Sequence, residues 1–551
     1  MWQQNYLPVG DNLVLSALLA AVPLLGLLLL LGVFRKPSWV AATSGLGLAL
    51  VVALFGYKMP IPLAISSTLM GAAFGLFPIG WILFNAILLY QLTVRAGKFE
   101  VIKHSLGNLT ADRRLQALLI AFAFGAFLEG GAGFGSPVAV AAAMLAGLGF
   151  TPFYAAVLCL LANTAPVAFG SIGIPVITLA GITGLPLDRL SAGVGRICAP
   201  ISVFVPAYLV VVMSGFRGLM GVWPAALICG VGFAGTQFLV SNFVGPELTD
   251  ILAALASIIG LVVLLKLWRP SVIQTTIAND HDAAKLPKPE ASTEEFPHHS
   301  AGEIFGAWVP YLLLVAFVLI WGAPGVKPYL DIATFPLPWP GLHEAVMRVA
   351  PLVETPSPYP ALFKLDLIAA SGTACLIASL FAAAFLRISP AIFLHTAKDV
   401  AVQMAKPLLT ISSVLALSFL MNYSGATMTL GLAFAATGTL FPFFSAILGW
   451  LGVFLTGSDT AANALFGNLQ VVTAKTLDLN PILMAASNSS GGVMGKMISL
   501  QSIAVAVAAA GMAISEESRL FRYTLRHSII LASAIGCVVM FYAYVMPAWA
   551  P

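Results

Sequence analysis

Charged residues are scarce in this chain of 551 residues. Asp, Glu, Lys and Arg together make up 9% of it, hydrophobic residues make up 60%, and the mean hydropathy is +0.97. So little charge excludes an ordinary soluble domain and is typical of a chain that crosses a membrane many times. The lipid bilayer is therefore an expected partner. In a membrane protein, a formal net charge of +4 does not indicate nucleic-acid binding, and we expect no nucleic-acid partner.

Paired cysteine spacings and enzyme motifs are also missing. The five cysteines all lie in apolar segments, without the spacing of a disulfide framework or a zinc site, which predicts core packing. The seven histidines fall in loops or near the edges of apolar segments, and neither HExxH nor GxSxG occurs. We expect no catalytic residue, no metal site and no cofactor. An intramembrane enzyme or a sensor remains the alternative from another functional class.

Long apolar runs, in contrast, recur along the whole chain. One crossing needs roughly 20 such residues. Examples of these runs are residues 13–34, 39–56, 223–240, 251–267, 309–321, 365–386 and 528–546. The pattern predicts an all-α polytopic membrane protein with about 12–14 transmembrane helices. The first run lacks the basic flank of a signal peptide, so we expect it to stay as the first membrane helix.

Basic residues beside the apolar runs predict the orientation. Pairs such as Arg35 with Lys36 and Arg519 with Arg522 mark cytoplasmic ends under the positive-inside rule. Both termini and the loop at 241–250 are then expected outside the cytoplasm.

Two polar stretches interrupt the apolar pattern. The charged residues 270–302 are predicted to form a cytoplasmic connection between an N-terminal half, 1–269, and a C-terminal half, 303–551. The Pro-rich residues 323–364 are predicted to form an outward loop with some structure.

Three charged residues stand alone in long apolar blocks. Glu129, Asp459 and Lys496 are each the only Asp, Glu, Lys or Arg in their block. These blocks are residues 115–187, 407–474 and 479–515. A charge inside a bilayer costs at least ~2.5 kcal/mol, so it is retained mainly where it faces a cavity, a partner or a transported ion. The alternative is that these side chains lie at helix ends and reach the lipid headgroups. Arg196, Lys406 and Asn422 are weaker candidates for the same pathway.

The sequence around Glu129, FLEGGAGFGSP at residues 127–137, predicts a broken helix. Four glycines follow the carboxylate, and Ser136 with Pro137 suits the start of a new helix. That helix would span only ~18 Å at ~1.5 Å per residue, against ~30 Å of hydrocarbon, so it should be re-entrant. A second break is predicted at 163–175, which contains two prolines. Such breaks at membrane depth usually line a binding cavity.

The C-terminal half repeats this plan. The sequence FLTGSD at 454–459 matches FLEG at 127–130, with the acidic residue displaced by two, and Asn488 with Ser489 matches Asn163 with Thr164. We predict two structural repeats, inverted relative to each other, with cores at 115–187 and 407–515. Each repeat should contain re-entrant or broken helices, and the two should meet near the membrane midplane.

The chemistry of the predicted site suits a small organic anion. Helix N-termini attract anions, and one lysine among hydroxyl groups suits a monocarboxylate that bears a hydroxyl. Glu129 and Asp459 are the predicted proton-coupling residues. The predicted substrate-binding residues are Gly130, Gly131, Gly133, Gly135, Ser136, Asn163, Thr164, Ser458, Thr460, Asn488, Ser489, Gly491, Gly492 and Lys496.

Several blocks of the sequence resemble one known family. They are WQQNY at 2–6, FLEGGAGFGSPVA at 127–139, NTAPVAFG at 163–170, SNFVGPEL at 241–248, FLTGSDT at 454–460 and GKMIS at 495–499. In content and order they are similar to the bacterial lactate permease family. The resemblance implies symport of L-lactate, D-lactate or glycolate with a proton across the bacterial inner membrane, on a fold with two inverted repeats and re-entrant hairpins. Sodium coupling is the nearest alternative, because Asn, Ser and Thr oxygens suit sodium, whereas lone membrane carboxylates favour protons.

Overall fold

The computed structural model describes residues 1–133, 135–275, 297–323, 325–351, 353 and 355–550. Twelve of the described helices are long and apolar enough to cross a membrane, or thirteen if one bent pair is counted as a span. The prediction of an all-α polytopic membrane protein with about 12–14 crossings is confirmed. Most of the predicted connection at 270–302 lies outside the described residues.

Five helices precede the Glu129 block. They are α1 (Leu13–Gly32), α2 (Ser38–Val51), α3 (Ile61–Phe74), α4 (Trp81–Arg95) and α5 (Lys98–Gly107). The α1 helix begins where the Asn12 side chain accepts a hydrogen bond from the Leu15 amide at 3.1 Å. A π-helical segment, Gly75–Gly80, joins α3 to α4 at Pro78, which has no N–H to continue the helix.

The first unit is a hairpin followed by a broken helix. Its elements are α6 (Arg113–Gln116), the π-helical segment Ala117–Phe124, α7 (Gly125–Gly131), α8 (Ser136–Gly147), α9 (Pro152–Ala162) and α10 (Gly170–Thr183). Gly133 and Gly135 have φ values of +59° and +84°, which a residue with a Cβ rarely adopts, so the hairpin turns there. A short 3₁₀ segment, Val167–Phe169, lies in the break between α9 and α10, and the helix bends there by 62°. Both breaks predicted in this half are confirmed.

Further helices and a small sheet connect the two units. The helices are α11 (Leu187–Met220), α12 (Trp223–Phe243), α13 (Thr249–Leu267), α14 (Ala301–Gly322), α15 (Lys327–Asp331) and α16 (Ser371–Phe385). The strands are β1 (Trp2–Gln3), β2 (Phe335–Pro338), β3 (Val346–Arg348), β4 (Ser357–Pro358) and β5 (Leu362–Leu365). β1 pairs in parallel with β3, which pairs antiparallel with β4, and β2 pairs antiparallel with β5.

Two expectations for this region need correction. The apolar run at 365–386 begins at Leu365, which pairs with Phe335 as the last residue of β5. A non-helical segment, 366–370, follows, so the helix starts only at Ser371. The predicted loop at 241–250 is shorter, because α12 continues to Phe243 and α13 begins at Thr249. Asp250 therefore lies inside a helix and is buried.

The second unit contains the corresponding parts. They are α17 (Pro390–Ser424), α18 (Ala426–Phe434), the 3₁₀ segment Ala435–Leu440, α19 (Phe441–Thr456), α20 (Asp459–Thr476), α21 (Pro481–Lys496), α22 (Leu500–Ala510) and α23 (Glu517–Tyr544). α19 and α20 form the hairpin, and α21 with α22 forms the broken helix. The break lies at 497–499, so Asn488 and Ser489 are in the middle of a continuous helix. The predicted match of these residues to the break at Asn163 and Thr164 is therefore wrong.

The two units pack against each other reciprocally. The returning arm of the first hairpin, α8, packs on α22 of the second broken helix, and the returning arm of the second hairpin, α20, packs on α10 of the first. Reciprocal packing of this kind is expected of two related repeats, and it does not distinguish an inverted pair from a parallel one. It brings the tip of each hairpin to the broken helix of the other unit.

Candidate binding site

A cavity of about 270 Å³ lies where the two units meet. One wall is formed by α1, α2 and α17, and the other by the hairpin tips and the broken helices. Four of its described lining residues carry an ionisable side chain: Glu129, Lys406, Asp459 and Lys496. The three lone charges of the sequence therefore meet in one cavity, with Lys406 as a fourth charge.

Asp459 occupies the first turn of α20, immediately after the tip of the second hairpin. Ser458 caps that helix, because its Oγ accepts a hydrogen bond from the Ala461 amide at 3.3 Å. The Asp459 carboxylate accepts hydrogen bonds from Ser489 Oγ at 2.5 Å and from Asn463 Nδ2 at 3.3 Å, both on Oδ2. Oδ1 has no hydrogen-bond partner among the described residues. Half of this carboxylate is thus held by donors, while Oδ1 is buried close to Gly492.

Lys496 is the last residue of α21, where the helix dipole favours a cation. Its Nζ donates a hydrogen bond to the Gly457 carbonyl at 2.6 Å, so the side chain reaches from the break in the second unit to the tip of the hairpin. Gly457 has a φ of +72°. Lys496 remains partly exposed to the cavity, so its ammonium group can bind an anion without leaving the tip.

Glu129 lies in the last turn of α7 and is 4% exposed. Its Oε2 makes no hydrogen bond within 3.5 Å among the described residues, and the Asn163 side chain is its neutral polar neighbour. A Cβ on Gly170 would lie 2.7 Å from Glu129 Oε1, so only a glycine leaves room for the carboxyl at the start of α10. Close packing against Gly170 therefore helps to hold Glu129 at the cavity wall.

Backbone strain is concentrated opposite Glu129. Ser171 and Ile172 have φ values of +49° and +59°, in the left-handed region, which is a rare conformation for a β-branched residue such as Ile172. This local conformation places Ser171 on the cavity wall. Such strain tends to occur at functional sites, where the surrounding structure holds it.

The predicted substrate-binding residues divide into two groups. Ser458, Thr460 and Lys496 line the cavity. The others are not among the described lining residues: Asn163, Thr164, Ser489 and the four glycines of the first hairpin, Gly130, Gly131, Gly133 and Gly135. Ser136 begins α8. Thr164 Oγ1 donates to the Leu161 carbonyl at 2.7 Å, and Gly130 allows the close approach of α13.

Asn488, Gly491 and Gly492 build the second unit rather than its cavity wall. Asn488 Oδ1 accepts a hydrogen bond from Gln470 Nε2 at 3.1 Å, and its Nδ2 donates to Asn463 Oδ1 at 2.9 Å. A Cβ on Gly491 would overlap the Ala446 backbone, and one on Gly492 would overlap the Asp459 carboxylate. Small residues here allow α19 and α21 to approach closely.

The sequence did not indicate three further residues. Ser171 and Gln501 line the cavity, but neither carries a charge that would distinguish it in the sequence. Asp250 is 1% exposed, yet it stands beside a polar stretch and resembles an ordinary loop residue. Arg196 and Asn422 make other contacts: Arg196 Nε donates to Asn242 at 2.8 Å, and Asn422 Oδ1 accepts from Asn468 at 3.0 Å.

The comparisons with known proteins agree with this architecture. The sequence pattern of the L-lactate permease family matches residues 16–546. An L-lactate permease of Bacillus subtilis (strain 168) is 46% identical over 562 residues, which cover 100% of this chain and 99% of that protein. The glycolate permease GlcA of Escherichia coli (strain K12) is also 46% identical, over 99% of this chain and 98% of its own.

A solved structure shares the fold. It is that of MtrF of Neisseria gonorrhoeae, described with a class of antimetabolite efflux pumps, and it matches with a TM-score of 0.52 at 12% identity over 94% of this chain and 97% of its own. Because the family pattern matches residues 16–546 and a relative is 46% identical over the full length, this chain belongs to the L-lactate permease family.

Proposed function

We propose that this protein is a secondary transporter that carries a small 2-hydroxy monocarboxylate, such as L-lactate, D-lactate or glycolate, together with a proton. The relatives named as L-lactate and glycolate permeases support this substrate class. The observation that carries the proposal is the set of four ionisable residues in the cavity, two carboxylates and two lysines. With all four ionised their charges cancel, and one bound proton leaves a single positive charge for one monocarboxylate anion.

The proposed roles follow from the geometry. Lys496 binds the substrate carboxylate, because it is the cation that reaches the hairpin tip. Ser458 and Thr460 lie on the same tip and offer hydroxyl groups to the substrate oxygens. Glu129 and Asp459 carry the coupling proton, with Asn163, Thr164, Asn488 and Ser489 as their supporting residues.

We also propose that the protein lies in a bacterial inner membrane with both termini outside the cytoplasm. Ser38, Trp39 and Lys406 line the cavity, and they lie near Arg35, Lys36 and Lys398, a basic region that the positive-inside rule assigns to the cytoplasm. The structure then corresponds to a conformation in which the cavity is nearest the cytoplasm.

The test is uptake of labelled L-lactate into proteoliposomes under an imposed proton gradient or, separately, a sodium gradient. For the wild type we expect accumulation with the proton gradient alone. For Glu129→Gln we expect accumulation to be lost, with exchange of internal for external lactate reduced much less, because the carboxamide resembles a neutral carboxyl that cannot release its proton.

Sodium coupling is the competing proposal, and the same assay decides between them. Accumulation driven only by the sodium gradient would mean that sodium, and not a proton, is the coupling ion. A Glu129→Gln variant that concentrates lactate as the wild type does would remove Glu129 from coupling. Labelled glycolate in parallel vesicles tests the substrate class, and a pH-independent leak in both directions would indicate a passive pore.

A further inference from the structure

The break in the second broken helix has a polar side chain on each side of it, and both contact one glycine. Lys496 ends α21 before the break, and Gln501 lies in the first turn of α22 after it. Lys496 Nζ donates a hydrogen bond to the Gly457 carbonyl at 2.6 Å. Gln501 packs against the same residue, since a Cβ on Gly457 would lie 2.8 Å from Gln501 Oε1 and 3.4 Å from Gln501 Cβ. The ammonium group and the carboxamide therefore both lie at the tip of the second hairpin.

Gly457 is the residue that permits this approach. Its φ of +72° is in the left-handed region, which a residue with a Cβ rarely adopts. A Cβ at this position would also overlap the carboxamide of Gln501. The glycine thus makes the turn of the hairpin and leaves room for Gln501 beside Lys496.

The carboxamide of Gln501 faces the cavity with its hydrogen-bonding groups unused. Gln501 is one of the lining residues and is exposed. It makes no hydrogen bond to another residue in the part of the chain that the structure describes. A carboxamide has an acceptor oxygen and two N–H donors. Both kinds of group are therefore open to a ligand in the cavity.

Several other polar side chains of the cavity are already engaged with the backbone. Three hydroxyl groups donate to backbone carbonyls: Thr410 to Lys406 at 2.9 Å, Thr456 to Gly452 at 2.7 Å and Ser171 to Ala132 at 3.3 Å. The carboxylates of Glu129 and Asp459 repel an anion when they are ionised. Gln501 is neutral and unused, so it suits the neutral polar group of a substrate whose carboxylate is bound by Lys496.

We propose that Gln501 recognises the 2-hydroxyl group of the substrate. With the substrate carboxylate on Lys496, the hydroxyl group on the adjacent carbon forms a hydrogen bond with the Gln501 carboxamide. The inference rests on the proposed function and identifies the residue that separates a 2-hydroxy acid from the plain acid of the same length. A site that binds a substrate hydroxyl disfavours the analogue without it, because the polar group of the site is then left unpaired. Gln501 is thus a specificity-determining residue.

The test is equilibrium binding to the detergent-purified protein with two pairs of acids. L-lactate and propionate differ by the hydroxyl group alone, and so do glycolate and acetate. We expect the wild type to bind the hydroxy acid of each pair about tenfold more tightly, as one added hydrogen bond allows. In Gln501→Met, L-lactate and glycolate should weaken by about tenfold, while propionate and acetate change by less than about twofold.

Two further variants separate recognition of the hydroxyl from other effects. Gln403 is the matched control, because it is an exposed glutamine of α17 outside the described lining, and Gln403→Met should bind all four acids as the wild type does. Lys496→Gln should weaken both members of each pair alike, because they share the carboxylate. If Gln501→Met fails to fold, Gln501→Asn replaces it, and its shorter carboxamide should weaken L-lactate at least about threefold more than propionate.

The outcomes distinguish this inference from the proposed function. A wild type that binds none of the four acids would overturn the proposed substrate class and the role of Gln501 with it. The role of Gln501 alone is overturned if the wild type does not prefer the hydroxy acids, if Gln501→Met keeps that preference, or if Gln501→Met weakens all four acids equally. Binding selectivity does not depend on the coupling ion, so a failure of proton coupling would leave this test intact.

Discussion

In the second unit, the carboxylate at the hairpin tip accepts hydrogen bonds from Ser489 and Asn463, and Lys496 lies in the same cavity. In the first unit, Glu129 shares the cavity with Lys496 but accepts no hydrogen bond on Oε2 among the described residues, and Asn163 is its polar neighbour. Donors stabilise the charged form of a carboxyl, and their absence together with burial favours the neutral form. From this contrast we infer that the second unit mainly anchors the substrate and the first mainly exchanges the proton.

The largest effect should come from removing the cation of the second unit. For Lys496→Gln we expect lactate affinity to fall by roughly 100-fold, since a hydrogen bond to a charged group contributes about 1.5–3 kcal/mol and the substrate carboxylate would be left without its counter-charge. Binding to the detergent-purified protein measures this directly. Lys475→Gln, at the exposed end of α20, is the control and should bind as the wild type does. Unchanged affinity in Lys496→Gln would remove this residue from the site.

The two asparagines that the sequence equates should behave differently. Asn488→Ala leaves Asn463 Oδ1 without its hydrogen-bond donor and removes one of the two acceptors of Gln470 Nε2 in the core, so we expect a loss of about 1–3 kcal/mol in stability. Asn163→Ala removes the neutral polar neighbour of Glu129 but no hydrogen bond shorter than 3.5 Å among the described residues. Stability should change by less than about 0.5 kcal/mol while uptake falls. Thermal unfolding in detergent compares the two, and equal melting temperatures would contradict the contrast.

Two glycine substitutions compare how closely the helices pack in the two units. Gly491→Ala should destabilise the protein by about 1–3 kcal/mol, because the new Cβ overlaps the Ala446 backbone and forces α19 away from α21. Gly147, in α8 of the first unit, has nothing within 4 Å of the position of a Cβ. Gly147→Ala should therefore leave stability unchanged or raise it by up to about 1 kcal/mol. Thermal unfolding of both variants measures the difference.

The smallest effect concerns how the second half of each broken helix begins. Ser499 Oγ accepts a hydrogen bond from the Ser502 amide at 3.2 Å and caps α22, whereas α10 begins without a side-chain cap. We expect Ser499→Ala to cost about 1 kcal/mol of stability. Faster amide hydrogen exchange at 500–503, with no change at 170–173, would localise the loss to α22. Equal changes in both helices would contradict this assignment.

The sequence predicted the parts of the site that break the apolar pattern. Glu129, Asp459 and Lys496 were evident because a membrane tolerates few isolated charges, and the first hairpin was evident because its glycines and Pro137 interrupt a helix. The continuity of α21 was not predictable, since Gly491 and Gly492 lower helix propensity and only close contact with α19 offsets this. Asp250 was missed because its burial depends on α7, which is distant in sequence.

The pairing of β1 with β3 has a consequence for biosynthesis. Val346, the partner of Trp2, leaves the ribosome more than 340 residues later, which at roughly 5–20 residues per second is roughly 20–70 s. The partners of Gln4 are synthesised still later, because its Nε2 donates hydrogen bonds to the carbonyls of Asn422 and Tyr423 at 2.9 and 2.8 Å. Trp2 and Gln4 thus reach their native positions only after residues far along the chain have been synthesised.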